Sequence, residues 1–205
     1  MGFRTEAYNL IITGVGGQGN VLISQLIGQS LVSKGYFVTI GETYGMAQRG
    51  GSVMSHIRIA RGKQLSPLIP RAKGDFIVAL EPVEALRVLG VYGNLHVVVL
   101  VNTRPIYPVD VTTGNAFYPD FKELRKALGS HSRKTYSIDA TDKAIQMGLP
   151  ILANMIMVGA FLALKLIPLG IEEFRENLSN TFSQKRFEIN AKALEAGEAM
   201  IQESL

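Results

Sequence analysis

The 205-residue sequence contains no cysteine and no tryptophan. Without thiols, the chain cannot form a disulfide framework, a thiolate zinc site or a cysteine-held iron–sulfur cluster. That composition fits a cytoplasmic setting. Long apolar runs are also missing. The longest, Met155 to Leu164, is too short for a bilayer core of about 30 Å, which takes about 20 helical residues. Met1 to Ala7 is polar and carries no apolar signal-peptide core. Charge of one sign is never concentrated: the net charge is +4 and the pI about 9.3, yet no run of five like charges occurs. Nucleic-acid binding calls for a basic stripe interleaved with aromatics, so neither nucleic acid nor membrane is expected as a partner. The three histidines, His56, His96 and His131, lack the i, i+4 or H-x-H spacing of a metal site and read as structural. There is no G-x-S-x-G elbow, and Gly62-Lys63 lacks the rest of a Walker A pattern.

What is present is a core-forming composition, 47% hydrophobic, and one organising stretch. Leu10 to Thr13 is apolar and runs into Gly14-Val15-Gly16-Gly17-Gln18-Gly19. Amphipathic Val21 to Lys34 follows, with Leu22, Leu26, Ile27 and Leu31 at helical spacing. The pattern predicts strand, tight turn and helix, and Tyr36 to Ile40 closes a βαβ unit with its two strands paired in parallel. Further strands are expected over Val53 to Ile59, Phe76 to Leu80, Leu95 to Val101 and Tyr136 to Ile138. The alternation in Val53 to Ile59 predicts a half-exposed strand, with Met54, His56 and Arg58 on its polar face. Helices are expected from Pro82, over Phe121 to Leu128, Ala140 to Met147, Ile151 to Leu166, Ile171 to Leu178 and Lys185 to Ser204. Asn102 to Pro119 reads as a loop-rich insert. No repeat or linker divides the chain, so residues 1–205 read as one α/β domain. It would be Rossmann-like, with a mainly parallel sheet flanked by helices and a helical C-terminal part.

Two stretches carry chemistry. Gly14, Gly16 and Gly19, with Gly17, allow positive φ and close backbone approach, and the following helix presents its N-terminal N–H groups over the loop. In a dinucleotide reading, Glu42, 23 residues after Gly19, would take a ribose hydroxyl. In the plainer reading, the glycines serve the turn and helix–sheet packing. The second stretch, Glu42 to Val53, includes Tyr44, Gly45, Gln48, Arg49, Gly50 and Gly51 and leaves the C-terminal end of the second strand. Arg49 could grip a phosphate or carboxylate, or pair with Glu42. Glu81-Pro82 reads either as cleft-facing or as a solvated helix start with an acid near the helix dipole. Met155, Met157, Phe161 and Leu164 suit a core or a subunit interface.

Taken in order, Gly14-Val-Gly-Gly-Gln-Gly19, Tyr44-Gly-Met-Ala-Gln-Arg-Gly-Gly51, Asn154 ahead of an apolar helix, and Asn190-Ala-Lys-Ala-Leu-Glu-Ala-Gly197 resemble the gamma-type domain of the 2-oxoacid:ferredoxin oxidoreductases. Gly-Met-Ala-Gln-Arg-Gly-Gly is most similar to the indolepyruvate branch and its small beta subunit. Related pyruvate and 2-oxoglutarate enzymes usually carry other residues before the Arg. The resemblance implies a small subunit, inactive alone and with no catalytic residue of its own. It would serve CoA-dependent oxidative decarboxylation of an aryl pyruvate, with electrons passed to ferredoxin. Thiamine diphosphate and iron–sulfur clusters would belong to a large alpha subunit, and coenzyme A would be a co-substrate. The glycine turn and the Arg49 stretch would face that partner or help admit coenzyme A, and an isolated chain could pair with itself. The competing reading is a stand-alone NAD(P)-binding oxidoreductase or a sensor of the same fold.

Overall fold

A computed structural model describes residues 7–44 and 51–203. Gly45, Gln48, Arg49 and Gly50 lie outside the described residues, as does the Tyr44 side chain. Six strands form one sheet: β1 (Tyr8–Val15), β2 (Phe37–Tyr44), β3 (Ser52–Ala60), β4 (Phe76–Ala79), β5 (Val98–Asn102) and β6 (Lys134–Ile138), in the order β2-β3-β1-β4-β5-β6. β4, β5 and β6 continue from β1 in parallel, whereas β3 runs antiparallel to both β1 and β2. Only β3 points the other way, so the sheet is mainly parallel in strand direction.

The helices α1 (Asn20–Ser33), α5 (Ala140–Gln146), α6 (Ala153–Ala163), α7 (Ile171–Thr181) and α8 (Gln184–Gln202) pack on one face. There Leu10, Ile12, Ile57, Ile59, Val78 and Leu100 project from the strands. Helices α2 (Pro82–Tyr92) and α4 (Phe121–Ser130) cover the other face over Ile11, Ile77, Val99 and Val101. A four-residue helix, α3 (Val109–Thr112), lies in the segment expected as an insert. Alternate residues of one strand thus feed two separate cores. No helix among the described residues is long and apolar enough to cross a membrane.

Three expectations need correction. β2 does not pair with β1, because β3 lies between them; the βαβ unit skips a strand. The polar face of β3 is not half-exposed either. Residues 66–69 cross it: Arg58 donates to Ser66 Oγ (2.9 Å) and Ile69 N–H donates to His56 Nδ1 (3.4 Å). Pro67 lies close over Gly41 of β2, where a Cβ would sit 3.0 Å from its carbonyl. Finally, β5 begins at Val98, and Leu95 is an exposed turn residue. Met155, Met157 and Phe161 of α6 are core, so this helix is not available to a partner.

His56 is fully buried, with its ring edge-to-face against Tyr92 and Nε2 unpaired. Burial lowers its pKa below the ordinary histidine value. A base kept neutral in the fold contributes stability that is present at neutral pH and is lost as pH falls through the unfolded-chain value, about 6.5. The melting temperature should therefore fall on acidification through that value more steeply in the wild type than in His56→Gln. Equal slopes in thermal scans would refute this.

Candidate functional site

The glycine turn joins β1 to α1 at the C-terminal edge of the sheet. Gly17 and Gly19 have positive φ (103° and 86°), which accounts for glycine there. The space beside Gly17 is open, whereas that beside Gly14 and Gly19 is taken by protein. A Cβ on Gly14 would meet Gln18 Oε1 at 2.5 Å, and one on Gly19 would overlap the Asn154 amide. Gln18 folds back over the turn. Its Oε1 accepts from Val15 N–H (2.7 Å), and its Nε2 donates to Leu80 O (2.9 Å). Asn154 donates to Gln18 O (3.2 Å), and Gly16 N–H donates to Gly51 O (2.8 Å). The turn is therefore tied to β4, to α6 and to the end of the second motif.

Leu80 O also accepts from Asn102 Nδ2 (3.1 Å), and Asn102 Oδ1 accepts from Thr141 N–H at the start of α5 (3.2 Å). These amides bridge the exits of β1, β4 and β5. From β1 the chain moves outward to β2, and from β4 in the opposite direction to β5 and β6. The crevice where strand order reverses is where open α/β sheets take ligands. Here it is a cleft of about 290 Å³ lined by Gly17, Gln18, Arg104, Ile106, Ile151 and Asn154, among others. Arg104 is ion-paired with Asp142 (3.0 Å).

Glu42 is not brought to this cleft. Its carboxylate accepts from Ser24 Oγ (2.9 Å) and Ser55 Oγ (2.5 Å). It stands on β2, two strand spacings or about 10 Å from β1, where the ribose-binding acid of a dinucleotide fold would be one spacing away. With Gln18 and Asn154 filling the turn, this geometry does not favour the dinucleotide reading.

Glu81 is the residue whose role sequence reasoning missed. Its place as N-cap of α2 agrees with the Glu81-Pro82 signal, and it accepts from Glu84 N–H (3.0 Å). It is buried, however, not solvated. Its other oxygen, Oε1, accepts from Ile106 N–H (3.3 Å) and from the Tyr118 hydroxyl. Burial, with the Glu81 carboxylate beside it, pushes the Tyr118 pKa above the usual phenol range, so this hydroxyl stays a donor. One turn along, buried Glu84 accepts from Ser52 Oγ (2.5 Å) and Arg87 (3.0 Å). Desolvation raises its pKa, while Ser52 and Arg87 oppose the shift. The start of α2 thus anchors residues 103–119 through Glu81 and the base of the second motif through Glu84. Among the described residues, no group of His, Asp or Glu could hold a metal ion.

A family model described as pyruvate ferredoxin/flavodoxin oxidoreductase matches residues 9–200. The indolepyruvate oxidoreductase subunit IorB of Archaeoglobus fulgidus is 38% identical over 189 residues, 92% of each chain. The gamma subunit of a keto/oxoacid ferredoxin oxidoreductase from Geobacter sulfurreducens superposes with a TM-score of 0.69 at 20% identity, covering 96% of this chain and 99% of that one. The 2-oxoglutarate:ferredoxin oxidoreductase of Magnetococcus marinus, solved with 2-oxoglutarate, coenzyme A and succinyl-CoA, gives 0.76 at 19% identity. That match covers 98% of this chain but 32% of the longer one.

Proposed function

The chain belongs to the pyruvate ferredoxin/flavodoxin oxidoreductase family, and from that premise we propose that it is the small subunit of an oxidoreductase acting on aryl pyruvates of the indolepyruvate type. The observation that carries this reading is the match to an indolepyruvate oxidoreductase subunit along nearly the whole of both chains. Residues 1–205 form one gamma-type domain in this reading. The larger subunit holds thiamine diphosphate and the iron–sulfur clusters and passes electrons to ferredoxin. The donor set of this chain does not fit the clusters, since it has no cysteine. Coenzyme A is the co-substrate, and the cytoplasm is the setting.

The surface of this chain that serves the complex is the C-terminal edge of the sheet. Of the glycine turn Gly14, Gly16, Gly17, Gln18 and Gly19, which sits at that edge, Gly17 and Gln18 line the cleft. Tyr44, Gly45, Gln48, Arg49, Gly50 and Gly51 are the further residues assigned to this surface, and of these Gly51 accepts from Gly16 N–H. Glu42 is held on β2 by Ser24 of α1 and Ser55 of β3.

The test is co-purification under anaerobic conditions, followed by assay of viologen reduction with coenzyme A. Activity on indolepyruvate or phenylpyruvate that depends on both subunits, and that exceeds activity on pyruvate or 2-oxoglutarate, is the expected result. A chain that purifies alone and gains thermal stability with NAD(P)H would overturn the reading.

A further inference from the structure

We propose that residues 103–119 form a preset docking lobe for the larger subunit, held in place by Glu81. This inference rests on the small-subunit reading above. The lobe leaves β5 and returns to α4, and its two stems close on one carboxylate, through Ile106 N–H and the Tyr118 hydroxyl. Thr103 N–H adds a bond to Ile138 O (3.1 Å). Between the stems, Tyr107 packs edge-to-face on Tyr118 with ring centroids 5.1 Å apart. Asp110 O accepts from the N–H groups of Asn115 (2.8 Å) and Ala116 (3.0 Å), folding α3 back on the irregular segment that follows. The segment is thus ordered by its own bonds and by a buried acid, without contributing a hydrophobic core.

Its outer surface is apolar. Phe117 is 83% exposed, Val109 75% and Tyr107 54%. Ile106 and Ile151 continue this surface into the cleft mouth. The segment carries one Arg and one Asp, and the Arg is paired with Asp142. Few charges with exposed aromatics is the composition of the centre of a protein interface; a phosphate-bearing ligand would call for free cations.

The occupant is the larger subunit of the same oxidoreductase. The 2-oxoglutarate enzyme from Magnetococcus marinus carries the equivalent of this chain as about a third of a longer one. There the domain has the rest of the polypeptide beside it. In the small-subunit reading, surface contacts take the place of that covalent link. A projecting lobe also fits a concave partner better than its own two-fold copy, since an isologous contact must match itself.

Leu95, 79% exposed, provides the control. It precedes β5 at the opposite edge of the sheet and lines a groove of about 460 Å³ with Leu86 and Leu89. The full-length chain carrying Phe117→Asp, Val109→Asp or Leu95→Asp is titrated against its co-expressed larger subunit. Each free variant is also sized and melted. We expect Phe117→Asp to weaken the complex at least about 30-fold, as loss of a hot-spot aromatic does. Val109→Asp should act in the same direction, Leu95→Asp should bind as wild type, and melting of the free chains should be unchanged. Wild-type affinity in both lobe variants, or loss only in Leu95→Asp, overturns the lobe while leaving the small-subunit reading intact. Conversion of a wild-type homodimer to a monomer by Phe117→Asp, with the larger subunit still bound, assigns the lobe to a second copy and also overturns it. A wild-type chain that never joins the larger subunit removes both.

Discussion

Gly197→Ala is expected to lower the melting temperature, although alanine favours helix. Gly197 lies in α8 and Gly159 in α6, and each faces the other helix's backbone. A Cβ on Gly197 would overlap the carbonyl oxygen of Ile156 and sit 2.8 Å from the Ala160 nitrogen. A Cβ on Gly159 would overlap the carbonyl of Leu194. Because the obstacles are backbone atoms, no rotamer change relieves them; one helix must move off the other. Overpacking costs about 1–3 kcal/mol and at times more, and the helix gains about 1 kcal/mol from replacing glycine. With the obstacles this close, the top of the overpacking range or beyond applies, leaving a net loss of about 2–3 kcal/mol, or roughly 4–12 °C for a chain of this size. Gly90→Ala is the control. Gly90 lies in α2 with open space where its Cβ would go, so the same exchange should leave stability unchanged or raise it by up to about 1 kcal/mol. Circular dichroism melts of the two variants decide the matter, and a Gly197→Ala protein as stable as wild type would refute the close helix contact.

The second large effect is expected at Glu81. Replacing it with alanine removes an N-cap, worth about 0.5–2 kcal/mol. It also leaves the Ile106 N–H and the Tyr118 hydroxyl without their acceptor, at about 1–3 kcal/mol for a buried group left unpaired. Partial access of water to the lobe reduces the second cost, so a total of about 2–4 kcal/mol in urea unfolding is expected. Tyr118→Phe removes one donor and keeps the ring against Tyr107, so it should cost about 1 kcal/mol. In the double variant the two losses should not add, because they remove the same bond. Amide exchange should rise at Ile106 in the Glu81 variant and stay protected at Ile11 and Ile77. A Glu81→Ala protein within about 0.5 kcal/mol of wild type, the range of an ordinary surface change, would mean that the carboxylate does not hold the lobe.

The candidate site was only partly legible from residue types. The G-x-G-x-x-G spacing located the turn, and the structure places it at the reversal of strand order. What fills the turn was not legible: Gln18 reaches back to Val15 and across to Leu80, and Asn154 arrives from 136 residues further along the chain. Glu42 has the spacing of a ribose-binding acid, but spacing along the chain does not fix distance across a sheet.

By itself the sequence determined the local elements. Leu10 to Gly19 specified strand and turn through an apolar run ending in glycines, and Pro82 marked the start of α2 through its fixed φ. The apolar stretch from Met155 fixed a buried helix, because no face of it suits water. Only the tertiary structure decided which strands became neighbours. β3 inserts between β1 and β2, and its polar face is covered by residues 66–69. Hydrophobic alternation records that a strand has two different faces; it does not record what comes to lie on them. The same holds for Glu81. An acid before a helix proline reads as a cap from the sequence, whereas its burial and its hold on Ile106 and Tyr118 exist only once α2 and the 103–119 lobe meet. Capping is set within one turn of chain, but a clasp between distant segments is set by where the sheet delivers them.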